Sequence, residues 1–365
     1  MSNEHANLFS SLQLGEVKLA NRLVMAPLTR NRAGEGNVPQ EMNVEYYRQR
    51  ATAGLIITEA SQVSPEGVGY PSTPGIYSAE QITGWRKVTE AVHARGGKIF
   101  IQLWFCGRIS HPSLLPNNAT PVSASAMKPQ GEAATYEGPQ AFVAPRALTL
   151  EEIPGIVEQY RMAANNARAA GFDGVEVHAA NGYLIDQFLR DGSNQRDDNY
   201  GGSLENRSRL LMEVLDAVLE AWDPGHVGVR LSPENSFNDI KDSDPQTTFN
   251  FVAKNLSKLG LAYLHAVEGD MVDGSRQVDY RAIKDIFNGL YIANCGYNQD
   301  KAEAAINSGD ADLVAFGSLY IANPDLLERF KQHAALNTPD QATFYGGDAH
   351  GYTDYPALQS EEAVV

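Results

Sequence analysis

His178, Asn181 and Tyr183 fall within six residues of one another. An imidazole and a carboxamide at that spacing can hold an oxygen between them, and a phenol beside them can deliver a proton. The run Gly174-Val175-Glu176-Val177 ahead of them reads as a buried strand: a glycine punctuates it and its valines are β-branched. Leu184-Ile185 and Phe188-Leu189 behind them are apolar again, so the polar trio lies between two buried segments. In a barrel of parallel strands, residues just past a strand's C-terminal end line the active site. The same letters also describe a satisfied histidine at a strand end followed by an ordinary Asn-Gly turn. The elements around the trio have to decide.

Those elements alternate without a break. Strands are expected at Arg22 to Ala26, Leu55 to Glu59, Lys98 to Leu103, Val175 to His178, Val227 to Leu231, Ala262 to Ala266, Leu290 to Asn294 and Asp312 to Gly317. Helices are expected at Glu41 to Ala53, Ser78 to Arg95 with Ser78 as N-cap, from a capping box at Thr149-Leu150-Glu151-Glu152 to Ala170, and at Leu204 to Trp222, Thr247 to Leu259, Tyr280 to Phe287, Asp300 to Ser308 and Pro324 to His333. Eight strand-then-helix units imply a parallel sheet closed into a (β/α)₈ TIM barrel. Leu12 to Leu19, alternating around Gly15-Glu16, reads as an N-terminal β-hairpin that caps one end. A long Pro/Ser/Ala-rich insertion, Trp104 to Arg146, follows strand 3, and its part from Pro112 onward is expected to form one wall of the cavity. An open doubly wound sheet would carry a glycine-rich fingerprint after its first strand. Ala26-Pro27-Leu28-Thr29-Arg30 is not one.

The chain has 365 residues, with 29 basic against 45 acidic side chains and a net charge of −16. That balance argues against nonspecific nucleic-acid or anionic-membrane partners. Cys106 and Cys295 stand far apart and outside any Cys/His cluster, so neither a zinc site nor a disulfide framework is expected, and a reducing, cytoplasmic location fits. The first residues lack the basic and apolar runs of a signal peptide, and no apolar run reaches the roughly 20 residues of a membrane span.

With a barrel as the frame, the residues at the strands' C-terminal edges share one mouth: Thr29, Ala60, Gln102 with Trp104, the His178 trio, Arg230, Asn294-Cys295-Gly296 and Gly317-Ser318. They contain neither a carboxylate pair nor a metal-ligand cluster. They do offer hydrogen-bonding groups, an arginine, and glycine-bearing turns after strands 7 and 8, where barrels often hold a phosphate. A set that can hold a planar polar ring and a phosphate, yet has no acid–base pair of its own, suggests that a cofactor performs the redox step.

Longer words in the chain carry a resemblance. Asn21-Arg22-Leu23-Val24-Met25-Ala26-Pro27-Leu28-Thr29-Arg30, Gln102-Leu103-Trp104, Gly107-Arg108-Ile109-Ser110-His111, the His178 stretch, Asn199-Tyr200-Gly201-Gly202-Ser203-Leu204-Glu205-Asn206-Arg207, Ala322-Asn323-Pro324-Asp325-Leu326 and Gly351-Tyr352-Thr353-Asp354-Tyr355-Pro356 stand in order from Leu8 to Leu358. Together they resemble the Old Yellow Enzyme family, in particular its N-ethylmaleimide and pentaerythritol tetranitrate reductase branch. The resemblance implies one domain over residues 1–358 and a monomer or weak homodimer, and the tail at 359–365, ending Glu361-Glu362-Ala363-Val364-Val365, is expected to be disordered. It implies noncovalent FMN, reduced by NADPH or NADH, and electron-poor alkenes as substrates: enones, maleimides, nitroalkenes, and by extension nitrate esters and nitroaromatics.

By the same resemblance, Thr29 hydrogen-bonds flavin O4, Gln102 and Arg230 contact the pyrimidine edge, and Ala60 lies against the ring with Pro27 and Leu28 beside it. Backbone donors around Asn294, Cys295, Gly296, Phe316, Gly317 and Ser318 hold the phosphate. His178 and Asn181 grip the substrate oxygen, hydride arrives from flavin N5, and Tyr183 protonates the opposite face. Tyr70, Trp104 and Tyr352 line the substrate cavity. Two departures stand out. Ser318 occupies a position where the family commonly has a phosphate-gripping arginine, which implies weaker FMN retention. Phe105-Cys106 follows Trp104 where relatives often carry histidine, which reads as repacking.

Overall fold

The eight apolar runs form eight parallel strands in a computed structural model, which describes residues 7–358. They are β1 (Leu23–Met25), β2 (Leu55–Ile57), β3 (Ile99–Trp104), β4 (Gly174–His178), β5 (Val227–Leu231), β6 (Tyr263–Val267), β7 (Tyr291–Asn294) and β8 (Leu313–Phe316). Each pairs in parallel with its neighbour in sequence, and β8 pairs with β1, so the sheet closes into a barrel. The expected disordered tail at 359–365 lies outside the described residues.

Helices α1 (Glu41–Gln49), α2 (Ala79–His93), α3 (Ile153–Ala169), α4 (Leu204–Leu219), α5 (Pro245–Leu256), α6 (Tyr280–Phe287), α7 (Gln299–Ser308) and α8 (Leu326–Lys331) follow the strands. Ser78 caps α2 as expected, with Gln81 closing a reciprocal capping box. The box expected before α3 is half made: the Glu152 carboxylate accepts from the Thr149 N–H at 2.9 Å, and Glu152 itself becomes the N-cap. Most expected helices run past the observed ends by two to four residues, because apolar periodicity continues into the turns that follow them. Two short helices, Leu184–Leu189 and Ser318–Ala322, lack the length that periodicity needs to reveal them.

Alternation along each strand sorts the core into two shells. Val24, Leu55, Ile57, Phe100, Tyr263, Ile292, Leu313 and Ala315 fill the barrel's interior with Leu14, Val17 and Leu19 of the N-terminal hairpin, which plugs the lower end. Outward residues such as Met25, Ile56, Ile101, Val177 and Val229 pack against the helices. Gly228 makes room inside: a Cβ there would lie 2.2 Å from the Tyr263 ring. Nearer the C-terminal edge the inward positions turn polar. Gln102 and Glu176, register partners two residues short of Trp104 and His178, and Arg230, level with His178 and paired with His265, form a buried polar region there.

Candidate active site

The turn after β4 is built to hold its side chains still. Asn181 and Gly182 both take left-handed backbone angles, with φ of 57° and 76°. Asparagine tolerates that region and glycine is at home in it. The Asn181 N–H donates to Ser232 Oγ at 2.7 Å and its carbonyl accepts from Asn238 Nδ2 at 2.8 Å. The Gly182 N–H donates to Asp186 Oδ2 at 2.9 Å, and Asp186 is in turn paired with Arg190 at 2.8 Å. That ion pair is buried on both sides, and the Arg190 guanidinium also donates to the Ser232 carbonyl. Gln187 ties the turn to the insertion, donating to the carbonyls of Gly182 at 2.7 Å and Cys106 at 3.1 Å.

The result is a compact group of aromatic rings around His178. Trp104 and Tyr183 meet edge to face at 4.9 Å, His178 and Tyr183 at 5.1 Å, and Trp104 stacks near Tyr70 at 5.5 Å. The hydroxyls of Tyr70 and Tyr183 are 3.0 Å apart. The insertion does supply a wall: its hairpin Glu132–Thr135 with Gly138–Ala141 brings Ala133 and Phe142 into one apolar cluster with Ala60, Trp104, Tyr70 and Tyr183.

Peptide groups fix the polarity of the imidazole. The Ala180 N–H, which can only donate, points at His178 Nδ1 at 3.3 Å. Nδ1 is therefore the acceptor nitrogen, and the proton of the neutral ring sits on Nε2. Burial, with help from Arg230 and then His265, holds this imidazole well below the ordinary histidine range. Burial pushes the Tyr183 phenol well above its ordinary value, with Tyr70 adding to the effect. Hence neither group changes charge between about pH 6 and 9. Affinity for a neutral ligand that accepts a hydrogen bond from Nε2 should be flat over that range. Below it, protonating Nδ1 would set two donors face to face at Ala180 and weaken binding. A titration of ligand affinity against pH checks this, and a step centred near pH 6.5 would contradict it.

Beneath the trio, Gln102 Nε2 donates to Glu176 Oε1 at 2.7 Å, and Glu176 Oε2 accepts from His265 Nδ1 at 2.9 Å. Gln102 is thereby oriented, with one of its two amide N–H donors on Glu176 and its oxygen left as an acceptor. Arg230 donates from Nη2 to Asn294 Oδ1 at 2.7 Å, while its Nε is buried without a protein partner. Asn294 also donates to the Ala315 carbonyl at 2.9 Å, so its side chain locks β7 to β8. After β7, Cys295 and Gly296 turn the backbone through φ of 92° and 70°, an uncommon angle for a cysteine. Phe316 is buried in the outer shell, and Gly317 and Ser318 begin the five-residue helix after β8, with Ser318 exposed. Pro27, Leu28 and Thr29 stand half-buried past β1, and Ala60 is buried in a break between β2 and Ser61–Gln62.

One expected residue is elsewhere. Tyr352 is fully buried and stacks on Tyr46 at 4.1 Å, under the guanidinium groups of Arg30 and Arg32, and its hydroxyl accepts from Asn43 Nδ2 at 2.8 Å. It is a packing residue of α1, not part of the Tyr70–Trp104–Tyr183 group. The C-terminal segment instead sends Tyr345, 70% exposed, into electrostatic reach of Tyr70. Cys106 is buried, and burial raises its thiol well above the usual range, which leaves it inert and fits repacking. Among the described residues there is no cluster that could hold a metal ion, and no helix is long and apolar enough to cross a membrane.

Glu176, Ser232, Asn235, Asn238 and the Asp186–Arg190 pair also build the site, and the spacing of the trio does not point to them. Signals existed for two of these. Glu176 is two residues before His178 on a strand and must face the same way. Asp186 and Arg190 are spaced i,i+4.

Comparison with known proteins agrees with this fold. Residues 7–337 match the model of the NADH:flavin oxidoreductase / NADH oxidase family. A putative 12-oxophytodienoate reductase 11 of rice (Oryza sativa subsp. japonica) is 45% identical over 364 residues, covering 98% of this chain and 99% of the relative. Rice 12-oxophytodienoate reductase 1 is 44% identical, covering 96% and 93%. Among solved structures, morphinone reductase superposes with a TM-score of 0.95 at 47% identity, covering 98% of each chain. The Old Yellow Enzyme homologue from Zymomonas mobilis superposes with a TM-score of 0.93 at 44% identity, covering 96% of this chain and all of that one.

Proposed function

The chain belongs to the NADH:flavin oxidoreductase / NADH oxidase family, and from that premise we infer that it is an FMN-dependent NAD(P)H oxidoreductase that reduces the C=C bond of electron-poor alkenes. One observation carries the reading. Two hydrogen-bond donors, His178 Nε2–H and the Asn181 carboxamide, stand buried in the turn at the C-terminal end of β4, with the Tyr183 phenol held edge-on beside His178. Donors at that point polarise a carbonyl or nitro group, draw charge from the conjugated double bond, and stabilise the enolate-like charge that follows.

The mouth suits FMN. Arg230 keeps a buried Nε without a protein partner, and Gln102 keeps an acceptor oxygen beside it. Pro27, Leu28, Thr29 and Ala60 would flank the ring, Gln102 and Arg230 would hold its pyrimidine edge, and the backbone of Cys295-Gly296 and Gly317-Ser318 would hold the phosphate. Asn294 and Phe316 support these turns from beneath. Bound FMN, recharged by NAD(P)H, supplies the hydride. The chain supplies the rest: His178 and Asn181 bind and orient the acceptor oxygen, Trp104 and Tyr70 shut water out, and Tyr183 holds the proton for the α-carbon.

We further assign NADPH or NADH as reductant, enones, maleimides and nitroalkenes as substrates, and a cytoplasmic monomer or weak homodimer. The two unpaired cysteines support the location. The net charge of −16 argues against a nucleic-acid partner.

The experiment is direct. The purified protein should be yellow, bleach with NADPH under nitrogen, and recover its colour with 2-cyclohexenone. A colourless protein that cannot be loaded with FMN, or one that bleaches and is not reoxidised by any enone, would sink the reading. Ser318 adds a graded test. It offers no charge to the phosphate, so Ser318→Arg should tighten FMN retention by about tenfold. Full retention by the wild type on prolonged dialysis, with no gain in the variant, would count against the phosphate assignment.

A further inference from the structure

We infer that Asn235 is the residue that decides which end of the Asn181 carboxamide faces the pocket, and so makes this half of the grip a donor. The inference rests on the functional reading above and deepens it.

Asn235 lies four residues past β5 and is fully buried. Its Oδ1 is 3.2 Å from the Met271 N–H and 3.4 Å from the Phe237 N–H. Peptide N–H groups donate and cannot accept, so that end of the amide must be the oxygen. The NH₂ end is then the one 2.9 Å from Asn181 Oδ1. An amino group donates, so Asn181 must present oxygen to it. The Asn181 NH₂ is left for the ligand.

The main chain of Asn181 is held on both sides. Its N–H is bound by Ser232 and its carbonyl by Asn238. With the backbone fixed, a half-turn of the amide exchanges its two ends, and among the described residues Asn235 is the only side chain bonded to that amide. Both halves of the grip thus take their polarity from peptide groups: His178 directly from Ala180, and Asn181 through Asn235 from the loops after β5 and β6. Asn235 does not touch substrate and is a positioning residue.

Asn235→Asp is the test. An ionised carboxylate can keep the two peptide donors but can no longer donate to Asn181. The Asn181 amide then turns over and presents oxygen to the substrate's oxygen. A protonated carboxyl donates again and restores the original arrangement. The KM of the FMN-loaded variant for 2-cyclohexenone should therefore rise about 10- to 100-fold where the carboxyl is ionised, and fall back toward wild type as pH is lowered. Wild type should show no such gain on acidification: its KM stays flat down to about pH 6 and rises below it, where His178 takes up a proton. The neighbouring titratable groups are Arg190 and Asp186 beneath Ser232, and Glu234 and Asp270 on the two flanking loops. They are the same in both proteins and drop out of the comparison.

Asn235→Ala removes the orienting group without reversing it. It should raise KM only several-fold, with no pH dependence. A wild-type KM in both variants would overturn the inference. So would equal, pH-independent losses, which would mark Asn235 as loop packing only. If the Asp variant fails to fold, an unchanged KM in the Ala variant overturns the inference on its own. Wild-type turnover of the enone tests the functional reading, and the difference between variants tests this one.

Discussion

Replacing Tyr183 by phenylalanine should slow reoxidation by 2-cyclohexenone by roughly two to four orders of magnitude, the usual contribution of a positioned general acid, while NADPH still bleaches the enzyme. The ring of the variant keeps its place. Its edge-to-face contacts with Trp104 and His178 depend on carbon atoms, and the residue is nearly fully buried in both cases. Only the hydroxyl is lost, and with it the 3.0 Å contact to Tyr70. Nothing else within the aromatic group can replace the proton. Burial raises the Tyr70 phenol as well, and Tyr70 stands behind Tyr183 in the hydrogen-bonded pair. Tyr70→Phe should accordingly lose far less, because it removes a partner of the acid and not the acid. Stopped-flow reoxidation of the NADPH-bleached variants separates the two. Equal rates for wild type and Tyr183→Phe would mean that water or another group delivers the proton, and the role assigned to Tyr183 would fall.

The parts of this site that were legible in the sequence obey a short period. Strand alternation places Gln102 with Trp104 and His178 on the inner face, and places Arg230 and Asn294 there once β5 and β7 are recognised. The eightfold alternation of strand and helix fixes the closed barrel, because each strand buries both faces and reads as a continuous apolar run. What stayed hidden has no period. Ser232, Asn235 and Asn238 lie in one irregular loop, and they reach Asn181 across 51, 54 and 57 residues of sequence. No local rule connects such positions. Tyr352 illustrates the converse. Its motif is long and specific, yet a motif identifies a segment and not the direction of each side chain in it. Asn43, Arg30, Arg32 and Tyr46 claim Tyr352 for the shell outside the barrel, and Tyr345, seven residues earlier, is the tyrosine of that segment near Tyr70.

The second large effect should come from Arg230. It is buried in the barrel mouth with Nη2 committed to Asn294 and Nε uncommitted. A buried guanidinium with an open donor has been desolvated without full recompense, which a protein tolerates where a ligand completes the set. Glu176 is the carboxylate that acts most strongly on Arg230, but each of its two oxygens already accepts a bond, from Gln102 and from His265. The open donor therefore serves the pyrimidine edge of FMN, where a cation also favours the reduced, anionic ring. Arg230→Met should weaken FMN binding by about 10²- to 10³-fold and move the midpoint potential of what remains bound to more negative values. Arg230→Lys should fall between, since it keeps the charge and loses the planar fork. Asn294→Ala is the necessary companion. It frees Nη2 without removing the cation, so a loss of FMN affinity as large as that of Arg230→Met would show that the β7–β8 clamp, and not the charge, is responsible. Fluorescence titration of apoprotein with FMN reads the affinity directly. Unchanged affinity and potential in Arg230→Met would leave the guanidinium without a function, and would remove the main physical reason for setting a flavin in this mouth.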